Sequence, residues 1–183
     1  MILARWRVRR ANRLLIDQIH GEIVAAARAP ALFQRFGVAD TLEGRFEMVV
    51  LHAALTLRRL IASGPAGADM AQDLVDAVFR GFEDALREMA IGDAGVARRL
   101  KTMAGDFGGR SRAYGTALDA KDRAALALAL ARNVCGAADL AGAPQATALA
   151  ERSTTAAAAL EAIPYEDFAA GRFRFPIPIG EAR

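Results

Sequence analysis

A row of four polar side chains interrupts the apolar segment GRFEMVVLHAALTLRRL. At 100° per residue this segment is predicted to form a helix in which the row lies between two apolar faces. The row consists of Arg45, His52, Thr56 and Arg59. A surface helix needs only one apolar stripe, so two such faces predict a helix that is largely enclosed.

Enclosed cations need partners, and this requirement leaves two interpretations of the row. In the first, the row is a buried polar seam whose arginines pair with acids of the following helix, such as Asp76 or Glu83. In the second, the row lines a groove that is left open for a bound molecule. The apolar walls of such a groove would hold an apolar segment, and its cations would contact acidic groups or carbonyl ends.

The histidines, the single cysteine and the glycine-rich segments give little support to catalytic or metal chemistry. His20 and His52 fall on different predicted helices and lack the spacing of paired zinc ligands. Cys135 is the only cysteine, so it forms no intrachain disulfide, and it is expected to be a small buried residue of an alanine-rich helix. The segments GDAG and GDFGGR lack the strand–loop–helix context of a phosphate-binding loop. We therefore expect a protein that is not an enzyme and that has no metal and no cofactor.

The charges are distributed in blocks, although the net charge is only +3. Residues 69–93 include seven acids and only two arginines. Residues 95–114 include five cations and only one acid. Such blocks either steer a charged partner or form the solvated faces of neighbouring helices. Residues 1–11 form a basic N-terminal segment that predicts contact with a ribosome or an anionic membrane surface. Its candidate contact residues are Arg5, Trp6, Arg7, Arg9 and Arg10.

No segment of the sequence has the character of a secretory signal or of a membrane span. The basic N-terminus is not followed by an apolar stretch, because Asp17, His20 and Glu22 interrupt it. No motif for sequence-specific nucleic-acid recognition accompanies the basic segments. We therefore expect a cytoplasmic protein, and contact with the inner membrane from that side is left open.

Helical periodicity runs through the whole sequence and predicts an all-α fold. We expect residues 1–183 to form a single-domain bundle of about six helices. The predicted helices are at about 12–29, from Asp40 to the SGPAG segment, at 69–89, from Asp93 to about 107, at 122–134 and at 144–162. Asp40 and Asp93 are the expected N-caps of their helices, and Gly108 and Gly109 are expected to interrupt the fourth. The aromatic and proline-containing residues 164–183 predict an extended tail across the bundle.

Several spaced motifs occur in a recognisable order. They are GVADTLEGRFE at Gly37–Glu47, LH at Leu51–His52, RRL at Arg58–Leu60, LREMAIGD at Leu86–Asp93 and FGGRSRAY at Phe107–Tyr114. In these motifs, and from about Ile19 to Leu118, the chain resembles the ubiquinol–cytochrome c chaperone family. The resemblance implies an all-helical, non-enzymatic assembly chaperone for the cytochrome bc complex. It also implies that the client is newly made or newly inserted cytochrome b.

The resemblance places the candidate contact surface on the second predicted helix, at Arg45 to Arg59, and on the segment from Asp93 to Tyr114. The candidate client-binding residues are Arg45, Glu47, His52, Thr56, Arg59, Asp93, Arg110 and Tyr114. Two alternatives stay open, namely a protein that binds the ribosome or RNA surface and a helical carrier of lipid or quinone. A continuous apolar groove would favour a client or a lipid, whereas a closed core with a wide basic face would favour RNA.

Overall fold

The computed structural model describes residues 2–176, with side chains from Asn12 onward, and this part of the chain contains helices and no strands. The helices are α1 (Ile2–Ala27), α2 (Pro30–Arg35), α3 (Leu42–Ile61), α4 (Pro65–Glu88), α5 (Asp93–Asp119), α6 (Arg123–Asn133), α7 (Gln145–Glu161) and α8 (Tyr165–Ala169). The prediction of a single all-α domain is confirmed. Two short helices, α2 and α8, come in addition to the six that were predicted. Within residues 2–176, no helix combines the length and the apolar character that crossing a lipid bilayer requires.

Helix α3 lies at the centre of the bundle and packs against α1, α4, α5 and α7. Every residue from Phe46 to Leu57 is buried. The two apolar faces of the sequence explain this position, because each face covers a different set of neighbouring helices. The predicted enclosure of this helix is therefore confirmed.

The N-terminus of α3 is capped one residue later than predicted. The Thr41 side-chain oxygen accepts a hydrogen bond from the Gly44 N–H at 3.1 Å, as an N-cap residue does. The prediction that Asp40 caps this helix was wrong, because its carboxylate instead accepts a hydrogen bond from Arg45 Nε at 2.8 Å. This ion pair fixes the outer surface of the same turn.

Helix α5 runs without interruption through Gly108 and Gly109, so the predicted break at these glycines was wrong. Glycine lowers helix propensity by about 1 kcal/mol per residue, and tertiary packing routinely overrides a penalty of that size. Buried Phe107 and Tyr114 anchor the helix on either side of the glycine pair. The helix begins at Asp93 with Gly92 as its N-cap, so the expected cap is displaced by one residue.

Residues 164–176 cover one side of the bundle. This segment begins with the short helix α8 instead of a fully extended tail, and the described chain then continues without regular structure to residue 176. The Phe168 and Phe173 rings are buried and stacked, with their centroids 4.6 Å apart. Gln18 Nε2 of α1 donates a hydrogen bond to the Gly171 carbonyl at 2.7 Å. This segment therefore closes the core beside α1.

Helix α1 begins at Ile2, ten residues earlier than the sequence period predicts. The side chains of the basic N-terminal segment, including Arg5, Trp6, Arg7, Arg9 and Arg10, lie outside the described residues. From Ile16 onward the helix buries one apolar face, with Ile19 and Ile23 fully enclosed.

Candidate functional site

Two members of the polar row lie in the core of the bundle. His52 and Thr56 are both fully buried. His52 Nδ1 lies 2.7 Å from the Met48 carbonyl, so it carries the ring proton and donates it to that oxygen. The Thr56 hydroxyl donates to the His52 carbonyl at 3.0 Å. The prediction that these two side chains line a client groove is corrected, because both are fully enclosed by the neighbouring helices.

The two arginines of the row lie apart from each other, and neither pairs with an acid of α4. Arg45 is exposed and pairs with Asp40. Arg59 donates to the Ile163 carbonyl from Nε at 3.0 Å and from Nη2 at 2.6 Å, and it also contacts Ser63. Arg59 therefore ties the C-terminal end of α3 to the chain that follows α7. The row is neither a continuous seam nor one wall of a groove.

The acids that were predicted to pair with the row bind other residues. Glu83 pairs with Arg87 of its own helix at 2.9 Å, and Asp76 accepts a hydrogen bond from Gln72 at 3.2 Å. The buried acid of α3 is Glu47, whose side chain is 7% exposed. Glu47 follows the exposed Arg45 by two residues and therefore points to a different side of the helix.

Glu47 forms a cross-helix ion pair with Arg110 of α5. Arg110 Nε lies 2.7 Å from Glu47 Oε2, and Arg110 Nη1 lies 2.9 Å from Asp106 Oδ1. The guanidinium carbon of Arg110 also lies 5.7 Å from the centroid of the Phe46 ring, within cation–π range. The sequence thus predicted both members of the pair as site residues, although it did not predict that they meet.

The pair is enclosed, yet its closest contact is not a well-aligned hydrogen bond. Glu47 Oε2 and Arg110 Nε are both buried, and within the described part of the chain neither makes a bond of hydrogen-bond geometry. Burial raises the pKa of Glu47 to about 7, and the adjacent Arg110 partly opposes this rise. The site therefore holds a carboxyl group that changes charge near neutral pH.

A groove of about 690 Å³ opens above this pair. It lies between the start of α3, the end of α4, the first two-thirds of α5 and the segment that follows α6. Its apolar lining includes Leu42, Phe46, Leu86, Met103 and Val134, and its polar lining includes Glu47, Arg98, Arg99, Asp106 and Arg110. Apolar walls with a few convergent polar groups are typical of a binding site.

Three of the sequence motifs contribute to this one groove. The Gly37–Glu47 motif supplies Phe46 and Glu47. The Leu86–Asp93 motif supplies Leu86, and the Phe107–Tyr114 motif supplies Arg110. Residues 34–175 match the family described as ubiquinol-cytochrome C chaperone. The chain belongs to the ubiquinol–cytochrome c chaperone family.

A solved structure of high similarity supports the same assignment. The crystal structure of the Cbp3 homolog from Brucella abortus is 38% identical to this chain and superposes with a TM-score of 0.85. The similarity covers 100% of both chains. No match was found among curated proteins. The whole described fold of this chain is therefore shared with a solved relative.

Two other predicted site residues, Tyr114 and Asp93, lie near the groove without lining it. Tyr114 is fully buried, and its hydroxyl accepts a hydrogen bond from Asn133 Nδ2 at 3.4 Å. Burial raises the pKa of Tyr114 above its ordinary value. Asp93 is exposed and pairs with Arg87 at 2.9 Å, joining the end of α4 to the start of α5. Both residues therefore support the chaperone fold around the groove.

Several lining residues were not among the predicted site residues of this chaperone. Asp106, Met103 and Arg99 follow from α5 once Arg110 is placed, because they lie on successive turns of the same face. Arg98 precedes Arg99 by one residue and lines the edge of the groove. Cys135, which lines the groove from the segment after α6, has no such sequence signal. Its position depends on how α6 packs against α5.

We predict that Glu47 and His52 have opposite effects on the pH dependence of the chaperone's stability. Burial lowers the pKa of His52 to about 4, so His52 gains a proton on unfolding below its ordinary value of 6.5. Glu47 instead loses a proton on unfolding above its ordinary value of 4.5. Between the two ordinary pKa values, 4.5 and 6.5, the free energy of unfolding therefore rises with pH through His52 and falls with pH through Glu47.

Removing either group should uncover the effect of the other. From about pH 5 to 6.5, Glu47→Gln should make the free energy of unfolding rise with pH more steeply than in the parent. His52→Leu should make it rise less steeply, or fall. Each change in slope should be on the order of 1 kcal/mol per pH unit. Urea unfolding across this range measures the slopes, and parental slopes in both variants would contradict the assignment.

Proposed function

We propose that this chain is a non-enzymatic assembly chaperone that binds newly made cytochrome b during biogenesis of the cytochrome bc complex. The observation that carries the proposal is the convergence of three family motifs on one groove with a buried Glu47–Arg110 floor. Membership of the ubiquinol–cytochrome c chaperone family supports the chaperone role. The proposal requires neither a cofactor nor a chemical step.

The groove combines two properties that suit a membrane-protein client before assembly. Its apolar walls, among them Phe46, Leu86 and Met103, would cover an apolar side chain that is otherwise exposed to water. The exposed arginines 98 and 99 at its edge would speed the encounter with a client of opposite charge. We place this encounter on the cytoplasmic side of the inner membrane, where newly made cytochrome b becomes available.

The groove contains the chain's single cysteine, which provides a direct test of the proposal. We expect a short photoreactive probe on Cys135 to cross-link to cytochrome b while the client is being synthesised in the presence of membranes. The matched control is Cys135→Ser/Ala68→Cys, which moves the probe to an exposed position at the opposite end of α4. Equal cross-linking from both positions, or none from Cys135, would contradict the proposed contact surface.

The basic N-terminal segment gives a separate prediction about location. Deleting residues 1–11 should weaken binding to anionic vesicles or to ribosomes at least roughly tenfold at low salt. Each arginine near an anionic surface contributes up to about 1 kcal/mol, and added salt removes this contribution. Replacing Arg5, Arg7, Arg9 and Arg10 with glutamine should have a similar effect, because charge is the proposed cause. Sedimentation that neither change alters at low salt would exclude this role.

A further inference from the structure

The groove above Glu47 has a defined length and a charged group near each end of it. Four residues over three turns of α5 line the groove, from Arg99 through Met103 and Asp106 to Arg110. At a rise of 1.5 Å per residue, the distance along the helix from Arg99 to Arg110 is about 16 Å. A helix of about eleven residues, or an extended segment of about five, spans this distance.

The basic end of the groove consists of Arg98 and Arg99. Both are exposed, and within residues 12–176 neither side chain pairs with an acid. Arg58 shows the contrasting arrangement, because it lies between Asp119 and Glu161 and pairs with both. The positive charge at this end of the groove is therefore available to a carboxylate of another molecule.

The opposite end of the groove is formed by Glu47, Asp106 and Arg110. Arg110 Nε and Glu47 Oε2 are buried, lie 2.7 Å apart, and lack a hydrogen bond of good geometry within the described residues. Glu47 and Arg110 are already paired with each other, and only Arg110 and Asp106 keep an exposed part, 18% and 46% of their side chains. A peptide group or a side-chain amide carries one N–H and one C=O and can pair with these exposed parts.

We propose that the groove binds an apolar helical segment of a client protein that carries carboxylates at one end. In this arrangement the carboxylates contact Arg98 and Arg99, apolar side chains contact the wall around Met103, and a polar group of the segment pairs with Asp106 and Arg110. The inference rests on the proposed function and adds the chemistry that the site selects. Charge complementarity at the basic end carries the choice of an acidic segment.

The end of the groove opposite the basic end favours a peptide over the other occupants. An acyl chain that covered the partly exposed Arg110 and Asp106 would remove water from these charged groups and supply no hydrogen bond. A nucleic acid would bring phosphates close to the carboxylates of Glu47 and Asp106, which repel them. A peptide avoids both penalties.

The test uses two synthetic fluorescent peptides of fifteen residues with the same leucine face. One peptide carries three glutamates at one end, and the other carries three lysines there. We expect the acidic peptide to bind the full chain at least tenfold more tightly in a low-salt anisotropy titration. Arg98→Gln/Arg99→Gln should weaken its binding about tenfold. Lys101→Gln/Arg112→Gln removes two exposed cations of α5 that do not line the groove, so it should change binding less than twofold.

Three results would overturn the inference. The first is equal affinity for the two peptides, and the second is an equal loss in both double variants. The third is protection of Cys135 from a thiol reagent by phosphatidylglycerol vesicles but not by the acidic peptide, which would assign the groove to lipid. Cross-linking of cytochrome b to Cys135 is measured independently. If that cross-link forms while the peptides bind equally, the acidic preference is wrong and the proposed function stands.

Discussion

Replacing Gly44 with alanine is expected to lower the free energy of unfolding by about 3 kcal/mol or more. A Cβ atom at this position would lie 1.9 Å from the Ala39 carbonyl oxygen and 3.0 Å from the Ala39 carbonyl carbon. Both are backbone atoms, so no side-chain rotation relieves the overlap. The segment between them is also fixed, because Thr41 caps α3 through the Gly44 N–H. The substitution therefore displaces the first turn of the central helix.

The matched control is Gly108→Ala in the middle of α5. Gly108 is exposed, and a Cβ added there would have no atom within 4 Å. Alanine in a helix interior is about 0.5–1 kcal/mol more favourable than glycine, so this variant should be more stable than the parent. Urea unfolding of the two variants measures the contrast. A Gly44→Ala protein that unfolds at the parental urea concentration would show that the start of α3 tolerates the displacement.

The helices whose periodic faces are buried could be predicted from the sequence. Helix α6 begins at Arg123 with Asp122 as a side-chain cap, and α7 extends from Gln145 to Glu161, each within one or two residues of the prediction. The enclosure of α3 followed from its two apolar faces. These features depend on local residue pattern and capping chemistry, both of which are present in the sequence.

The continuity of α5 and the closure of the core by α8 could not be predicted in the same way. Local propensity indicates a break at Gly108, whereas anchoring by buried Phe107 and Tyr114 keeps the helix continuous. The residues after Ile163 have no helical period, and the burial of Phe168 and Phe173 depends on the surface that α1 presents to them. In both places tertiary packing decides the local structure.

Of the eight candidate client-binding residues named from the sequence, only Glu47 and Arg110 line the groove, and their meeting was not predicted. Glu47 and Arg110 lie in different motifs, and only the packing of α3 against α5 brings them to 2.7 Å. His52 and Thr56 have the same helical phase as Arg45, yet they lie on the inner part of α3 where neighbouring helices close over them. A sequence pattern gives the side of a helix on which a residue lies, but it does not give the depth of that residue in the bundle.

The largest effect that we expect in cells is the loss of assembled cytochrome bc complex when the gene is deleted. Cytochrome b is an apolar protein, and without a partner its exposed surface favours aggregation and proteolysis. We therefore expect the deletion strain to lose most of its cytochrome b and to grow slowly on respiratory substrates. A normal amount of assembled complex in that strain would contradict this prediction.

A matched pair of variants connects this effect to the groove. Met103 is half-buried and lines the groove, whereas Ala104 is exposed and does not line it. Met103→Glu places a carboxylate in the apolar part of the groove, and Ala104→Glu adds the same charge one residue away on α5. Equal unfolding curves for the two purified variants would establish that any difference in cells does not come from stability.

The reduced-minus-oxidised spectrum of cytochrome b in the complemented deletion strain tests the central claim most directly. We predict that the parent gene and the Ala104→Glu gene restore the absorbance of cytochrome b, and that the Met103→Glu gene restores little of it. Full restoration by Met103→Glu would contradict the assignment of the groove as the client-binding site. An unchanged spectrum in the strain that lacks the gene would contradict cytochrome b as the client.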